Sequence, residues 1–153
     1  MDLLEQLRYR VLAAQRDGNR TLASLLKPLG VTPAQAEVLR VLDAPEPLTL
    51  SRIGERIVCE PGSPSRLVSS LVEAGLVVRR AHPSDARATT LELTAHGRER
   101  ARQVAAVERR FYEELRQRLT TSTDDDIETA LRVLQEISGD GASATALRRR
   151  LAR

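Results

Sequence analysis

Apolar residues recur at helical spacing along most of this chain, and they alternate with polar residues along two shorter stretches. The helical spacing predicts a mainly α fold. The predicted helices are residues about 2–26, 50–58, 63–74, 95–119 and 124–137, with a further helix from Pro33. Residues 76–81 and 89–93 are rich in β-branched residues and alternate in polarity, so they predict a β-hairpin with its loop at 82–88.

Residues that favour helix ends mark the boundaries of these segments. Thr32 followed by Pro33 is a good start signal, because a threonine hydroxyl accepts a free amide of the first turn and proline suits the first helical position. Thr49 and Thr94 are placed to cap the helices that follow them. Gly75 is expected to end the helix before it, since glycine readily adopts the left-handed conformation found there.

Three places depart from a regular helical pattern. Asp17-Gly18-Asn19 interrupts the first helix, and we expect a kink or a polar bend there, because glycine inside a helix costs about 1 kcal/mol relative to alanine. Gly97 would let the first turn of its helix approach the hairpin closely. Residues 139–153 are a Gly-rich stretch followed by a basic segment, and we expect a flexible tail whose last ten residues are either weakly helical or disordered.

Two short helices followed at once by a hairpin with a basic tip predict a winged helix-turn-helix, a shape that reads DNA. The outer face of the second helix carries small or basic side chains, so this helix can lie in a groove with its backbone close to the floor. The candidate major-groove residues are Ser63, Ser65, Arg66, Ser69 and Ser70. Arginine can bond guanine through two hydrogen bonds, and serine can bond bases or phosphates. The competing interpretation is an ordinary polar helix face.

The start of this second helix is open between two interpretations. In the first, Glu60 is the cap and Pro61 holds the first helical position, but Pro64 then removes a backbone hydrogen bond of the helix. In the second, Ser63 is the cap and Pro64 is the first helical residue. The helix would then begin late, after an irregular loop, and the reading roles of Ser63 and Ser65 would be open.

Charge on the hairpin also favours contact with DNA. Arg79 and Arg80 lie on its first strand and are expected to meet phosphates or solvent. Arg87 lies at the tip, two residues after Asp85, whose carboxylate can hold the guanidinium in place. A narrow, A/T-rich minor groove attracts such an arginine. The competing interpretation is a solvated surface pair, worth about 0–1 kcal/mol.

Composition places the chain among globular proteins. Its 153 residues, 41% of them hydrophobic, are enough for one domain with its own core. Aromatic residues are only 2%, with no tryptophan, so the core must be aliphatic. No apolar run approaches the roughly 20 residues that span a bilayer, and no signal-peptide pattern is present. A single cysteine excludes an internal disulfide framework. We therefore expect a cytoplasmic protein without a membrane partner.

The net charge of +3 is too small to argue DNA binding by itself, but its distribution is informative. Residues 62–88 carry four arginines against two acidic residues, whereas residues 124–136 carry five acidic residues against one arginine. Positive charge thus gathers at the predicted reading head, which would orient the protein on a polyanion. Residues 139–153 add four arginines against one aspartate. Those arginines would either contact phosphates or form a solubilising tail.

Several segments, in this order and at these spacings, resemble the MarR family of bacterial transcriptional regulators. The resemblance covers about residues 3–138. The segments that carry it are Val31-Thr32-Pro33-Ala34-Gln35, Ser65-Arg66-Leu67-Val68 through Gly75-Leu76-Val77, Asp85-Ala86-Arg87 and Leu93-Thr94-Ala95-His96-Gly97. The chain departs from the family at Glu60, where family members usually have a small polar cap.

The resemblance implies a homodimeric repressor that binds a pseudo-palindromic operator in double-stranded DNA. The second helix would enter the major groove, and the wing arginine would enter the adjacent minor groove. It implies one domain of residues 1–138, with a winged helix at 32–93 and dimerisation helices at about 2–27, 95–119 and 124–137. In the family, a small and often aromatic or anionic effector binds between the dimer helices and the reading head. Tyr9, Phe111 and Tyr112 lie on the right helices for such a pocket, and they would suit a dimer interface equally well.

Residues suited to catalysis or metal binding are few. His82 and His96 are the only histidines and Cys59 is the only cysteine, so we predict neither a zinc site nor another cofactor. No phosphate-binding loop or nucleophile motif is present, which argues against an enzyme. Cys59 is expected to be a small buried residue, since Glu60 beside it disfavours a thiolate. Two alternative functions are a redox-sensing regulator that uses Cys59 and a winged-helix protein-interaction module without DNA readout.

Overall fold

Helices form most of the protein, and one small antiparallel sheet lies among them. The computed structural model describes residues 2–58, 63–82 and 85–152, without the side chains of residues 82 and 85–87. The helices are α1 (Leu3–Leu26), α2 (Pro33–Leu42), α3 (Leu50–Gly54), α4 (Pro64–Glu73), α5 (Ala95–Arg118), α6 (Asp124–Ser138) and α7 (Ala142–Leu151). The strands are β1 (Leu48–Thr49), β2 (Val77–His82) and β3 (Asp85–Leu93). No helix within these ranges is long and apolar enough to cross a membrane.

The sheet confirms the predicted hairpin and adds to it. Its strand order is β1-β3-β2, with Val77 opposite Leu93 and Leu48 opposite Leu91. The short β1 was not predicted, because two residues are too few to show a pattern. The prediction that residues 85–88 belong to a loop was wrong. The main chain of β3 already begins at Asp85, because pairing with β2 extends beyond the alternating residues, with a register irregularity between Ala81 and His82.

The predicted helix caps are present, and they determine where the helices begin or end. The Thr32 hydroxyl accepts a hydrogen bond from the Gln35 amide, while the Gln35 side chain accepts one from the Thr32 amide, so a full capping box starts α2. The Thr94 hydroxyl accepts a hydrogen bond from the Gly97 amide at 2.9 Å and starts α5. Gly75 follows α4 with a φ of 68°, the left-handed conformation that glycine was expected to supply.

The first turn of α5 packs directly on the chain that enters β2. A Cβ built on Gly97 would lie 1.9 Å from the carbonyl oxygen of Leu76, so only glycine fits there. The Thr94 hydroxyl donates a hydrogen bond to the carbonyl of Gly75 at 2.7 Å. These contacts join α5 to the end of α4, so the long helix and the winged head meet at a close backbone contact.

Two helices differ from the predictions, one in its interior and one at its end. Helix α1 continues without interruption through residues 17–19, where we expected a kink. A Cβ on Gly18 would make only an ordinary contact with the Phe111 ring, so packing tolerates this glycine within the helix. Helix α3 ends at Gly54 instead of Val58. The Val58 amide leaves the helix because it donates instead to the Glu37 carboxylate, 2.8 Å away.

The core lies where α2, α4 and α5 meet the sheet, and it is aliphatic, as the composition predicts. Its largest fully buried side chains include Leu26, Val38, Leu39, Ile53, Leu71 and Val104. Phe111 is the one aromatic side chain among the described residues that is also buried. This core positions α4 and the hairpin as one unit, which is the winged head (residues 32–93).

Of the two alternatives for the end of the predicted tail, the structure has the helical one, and this helix packs on the rest of the chain instead of extending from it. Residues 142–151 form α7, and Ala146 on this helix is 5% exposed. Small alanine side chains allow α7 to pack closely, and its arginines find carboxylates on the winged head. Both features depend on residues far away in the chain, so the local basic composition did not reveal them.

Candidate nucleic-acid interface

Helix α4 begins as the second of the two interpretations predicted. Ser63 holds the N-cap position and Pro64 the first helical position, where the missing proline amide removes no helical hydrogen bond. The Ser63 side chain is exposed and makes no capping hydrogen bond. The alternative with Glu60 as the cap is therefore wrong for this helix.

Burial of one side of α4 turns its polar side outward. Val68 and Leu71 are each 1% exposed, and they anchor the helix in the core. Ser65 and Arg66 are exposed on the other side. The outer face therefore presents a hydroxyl and a guanidinium, with no large apolar side chain between them.

Ser70 differs from the other candidate readers because its hydroxyl is used inside the protein. It donates a hydrogen bond to the Leu67 carbonyl at 2.8 Å and accepts one from Nε2 of Gln35 at 2.9 Å. The same Gln35 completes the capping box of α2. Gln35 thus couples the two helices of the head. Sequence reasoning missed this role because the capping motif predicts only the contact of the Gln35 side-chain oxygen, and the partner of its Nε2 is distant in the chain.

The hairpin and α4 are joined by one polar contact. Nη2 of Arg79 on β2 donates a hydrogen bond to Oγ of Ser69, which is half-buried on α4, at 3.1 Å. Arg80, the next residue, pairs with Glu92 at 3.4 Å on the neighbouring strand. Both arginines stay largely exposed. Arg79 can therefore bond both α4 and an external anion, whereas the charge of Arg80 is partly offset by Glu92.

The predicted wing pair lies at the edge of what the structure describes. The main chain places Asp85 and Arg87 at the start of β3, beside the end of β2. Their side chains lie outside the described residues, so their contact with each other and with DNA remains a prediction. Cys59 and Glu60 also lie outside the described residues, and the predicted burial of Cys59 remains untested.

A cavity of about 580 Å³ lies between the long helices and the winged head. Helices α1 and α5 form two of its walls, and the segment after α3 and the start of α7 complete it. Its lining residues are Ala14, Gln15, Gly18, Asn19, Leu22, Val58, Phe111, Leu115 and Ser143. Among the described residues, no charged side chain lines the cavity. Of the three aromatic candidates, Phe111 lines the cavity, whereas Tyr9 and Tyr112 are not among its lining residues.

Charged side chains of α2 and α5 form an ion pair where these two helices pack together. Nε of Arg40 lies 3.2 Å from the Glu108 carboxylate, and the Glu108 side chain is 17% exposed. Burial raises the pKa of Glu108 above its usual range, and the nearby Arg40 and Arg150 oppose that rise. Burial also raises the pKa of Tyr112, and the Glu108 charge adds to the rise. The junction between head and helix is thus held partly by ionisable groups.

Comparison with known proteins supports the interpretation of this surface. Residues 29–88 match the family model described as MarR family. The chain is 28% identical over 97 residues to the organic hydroperoxide resistance transcriptional regulator of Bacillus subtilis, covering 63% of this chain and 66% of that protein. It is 29% identical over 137 residues to an HTH-type transcriptional repressor of Mycobacterium tuberculosis, covering 90% of this chain and 94% of that protein.

A solved structure of a DNA complex is similar over nearly the whole chain. The match is to a cysteine-to-serine mutant of MarR from E. coli complexed with operator DNA, with a TM-score of 0.75 and 25% identity. It covers 91% of this chain and all of that chain. The family match, the relatives and the winged helix agree with one another. Residues 29–88 thus match the MarR family, and nearly the whole chain is similar to winged helix-turn-helix transcriptional regulators of that family.

Proposed function

We propose that this chain is a homodimeric repressor that binds a pseudo-palindromic operator in double-stranded DNA. The observation that carries the proposal is the outward face of α4, with exposed Ser65 and Arg66, held beside a basic hairpin by the Arg79–Ser69 hydrogen bond. An α-helix fits the major groove, and a hairpin beside it can reach the neighbouring minor groove. The assignment as a repressor follows the M. tuberculosis relative, which is named a repressor.

Each candidate residue has a role that its position allows. Arg66 and Ser65 would contact base edges, since they are the exposed members of the α4 face. Ser63 and Ser69 would contact the backbone near the two ends of that face. Ser70 would position α4 against α2, because its hydroxyl is already bonded within the protein. Arginine with two hydrogen bonds to guanine supplies about 1–3 kcal/mol of discrimination against the wrong base.

The wing would supply contacts that depend on charge and groove width. Arg87, oriented by Asp85, would enter the minor groove, where a narrow A/T-rich segment concentrates negative potential. Arg79 and Arg80 would meet phosphates along its edge, since both are exposed on β2. Phosphate contacts release counterions, so binding should weaken steeply as salt rises.

Exposed apolar side chains on the terminal helices support a dimer. Helix α6 has no buried residue, and it leaves Leu131 60% and Ile137 59% exposed. The beginning of α1 likewise exposes Leu3 and Leu4. A second copy of the chain would cover these faces and place two heads about one turn of DNA apart, ~34–36 Å. Two heads related by a twofold axis then require a pseudo-palindromic operator.

The cavity between the long helices and the head is the proposed effector site. Its volume of about 580 Å³ suits a small molecule. A bound molecule would lower DNA affinity only if it binds the DNA-incompetent arrangement more tightly. Because the described residues that line the cavity are all uncharged, we expect a small aromatic effector to bind better in neutral than in anionic form. Benzyl alcohol and benzoate are suitable probes, with Leu115→Trp as the variant that fills the cavity.

Footprinting tests the proposal directly. Fragments of the native genome that the protein retains are selected, and the DNA upstream of its own gene is included. Nuclease protection and sedimentation are then measured on the bound fragments. The expected result is two protected half-sites about one helical turn apart, occupied by two chains. A fragment in which one half-site is scrambled is the control. Protection by one chain alone, or no protected site in any fragment, would contradict the proposal.

A further inference from the structure

Helix α7 is docked on the winged head by two ion pairs. Nη1 of Arg150 lies 2.6 Å from Oε1 of Glu37 on α2, and Nη1 of Arg149 lies 3.3 Å from the Glu55 carboxylate after α3. Ala146, one turn earlier, is 5% exposed. In contrast, α6, which precedes α7, has no buried residue. The C-terminal helix thus returns to the head after a helix that packs little on its own chain.

Glu37 is the centre of this contact. Its side chain is 6% exposed, and its Oε1 accepts hydrogen bonds from Arg150 and from the main-chain amide of Val58 at 2.8 Å. A buried carboxylate is strongly disfavoured unless charged or hydrogen-bonding partners compensate for the lost water. The positive charge of Arg150 therefore stabilises the buried Glu37 carboxylate, and this carboxylate accepts the hydrogen bond from the Val58 amide.

Val58 lies between this contact and α4, the helix that carries the candidate DNA-reading residues. It lies directly before residues 59–62, the four residues that connect it to Ser63 at the α4 N-cap. A fixed Val58 amide limits where this short connection can begin. Helix α2, which carries Glu37, and helix α3, which precedes Glu55, both pack on α4, the helix with the exposed candidate readers. Arg150 is thus connected to the segment before α4 through its contact with Glu37 and the Glu37–Val58 hydrogen bond.

We propose that Glu37 and Arg150 are positioning residues for DNA binding, and that docked α7 fixes the approach to α4 in the DNA-competent arrangement. This inference rests on the proposed function, since it assigns part of the control of operator affinity to the C-terminal helix. It predicts that loss of the Arg150–Glu37 pair weakens operator binding although neither residue touches DNA. Helix α7 would thus help to set the affinity of the winged head for the operator.

The alternative role for the basic segment is direct phosphate contact. The arginines of α7 instead have carboxylate partners within the chain. Arg148 pairs with Asp140 at 3.0 Å, and the next two arginines pair with Glu55 and Glu37 as above. The partner of Arg148 is 98% exposed and lies outside the head, whereas Glu37 is buried within it. This difference makes Arg148 a matched control for Arg150.

The test combines DNA affinity with amide hydrogen exchange of the full-length protein. Arg150→Ala and Glu37→Gln are expected to weaken operator binding by about tenfold. Combining the two changes should add little to either alone, because both remove the same pair. Arg150→Lys should restore most of the affinity. Arg148→Ala should bind as the wild type does. The amide of Val58 should exchange faster in Arg150→Ala and at the wild-type rate in Arg148→Ala.

Salt dependence separates positioning from phosphate contact. Removing a phosphate contact lowers the slope of log affinity against log salt by about 1, whereas losing a positioning residue leaves the slope unchanged. An unchanged slope with faster Val58 exchange supports the proposal. Unchanged affinity in Arg150→Ala, or a lower slope with unchanged exchange, would overturn it. If the wild type selects no operator, the proposed function fails, and Val58 exchange alone decides whether Arg150 controls this segment.

Discussion

Nη2 of Arg79 donates a hydrogen bond to Oγ of Ser69, 3.1 Å away, and this bond joins the hairpin to α4. The bond uses one of the five N–H groups of the guanidinium, and no other bond of this side chain to a described residue is seen, so an external acceptor could use the others. Since Arg79 is exposed on β2, phosphate oxygens of bound DNA are suitable acceptors. The wing and the helix would therefore approach DNA as one surface.

Arg79→Ala should weaken binding to operator and to scrambled DNA by similar factors, because phosphate contacts carry no sequence information. The slope of log affinity against log salt should fall by about 1. Fluorescence anisotropy at several salt concentrations measures both quantities. Ser69→Ala is the companion variant, since it removes the internal bond and keeps the charge. A loss confined to the operator would mean that Arg79 reads bases or shapes α4 instead.

Gly97→Ala should destabilise the protein, because its Cβ would lie 1.9 Å from the Leu76 carbonyl oxygen. Overpacking of this kind costs about 1–3 kcal/mol, which lowers the melting temperature by roughly 2–10 °C at this chain length. Thermal unfolding followed by circular dichroism, at a fixed protein concentration, measures the shift. Gly141→Ala is the control, since the nearest atom to its Cβ is 3.5 Å away. Equal melting temperatures for the two variants would refute the close-contact explanation.

Gly18→Ala should have the opposite effect. Gly18 lies within the continuous helix α1, and its added Cβ would meet only the Phe111 ring at 3.9 Å, an ordinary contact. Alanine in a helix interior is more stable than glycine by about 1 kcal/mol. Urea unfolding should therefore give a higher free energy of unfolding for the variant. A lower value would indicate that α1 bends at this glycine in solution.

Glu108→Gln should change how stability depends on pH. Burial raises the pKa of Glu108 above its ordinary value of 4.5, so in a window just above that value the folded protein binds a proton that the unfolded chain has released. The wild type therefore loses stability from this group as pH rises through the window, and the variant does not. The free energy of unfolding of the variant minus that of the wild type should rise there and then level off.

Urea unfolding of both proteins at a series of pH values from about 4 to 8 measures this difference. Arg40 keeps a second carboxylate partner in Asp43, so the variant leaves no charge without a partner. A difference that falls as pH rises would show that the ion pair with Arg40 outweighs burial at Glu108.

Local signals in the sequence accounted for most helix boundaries and for the shape of the head. Thr32 and Thr94 cap helices through contacts three residues away, and Gly75 ends one through its own φ angle. Such short-range effects can be read from neighbouring residues. The start of α4 at Pro64 was one of two local solutions, and the structure selected between them.

Contacts between distant residues were the part that sequence reasoning missed. The partner of Arg150 is Glu37, 113 positions earlier, and no local pattern pairs them. The same is true of Gln35 and Ser70, 35 positions apart. The early end of α3 follows from the Val58–Glu37 hydrogen bond, which is also non-local. Sequence patterns therefore predicted the elements and their exposed faces, while tertiary packing decided which polar groups remain free for a ligand.

The most direct test of the account is a fluorescence anisotropy titration of the selected operator beside scrambled DNA, with wild type, Arg66→Ala and Arg87→Ala. Arg116→Ala is the matched control, since Arg116 is exposed in the last turn of α5, roughly 30 Å along the helix from its start at the head. We predict tight, salt-sensitive wild-type binding that prefers the operator. The two variants in the head should lose about tenfold or more of that preference, and the control should lose none. Equal, weak binding of both DNAs that does not change in Arg66→Ala or Arg87→Ala would contradict the account.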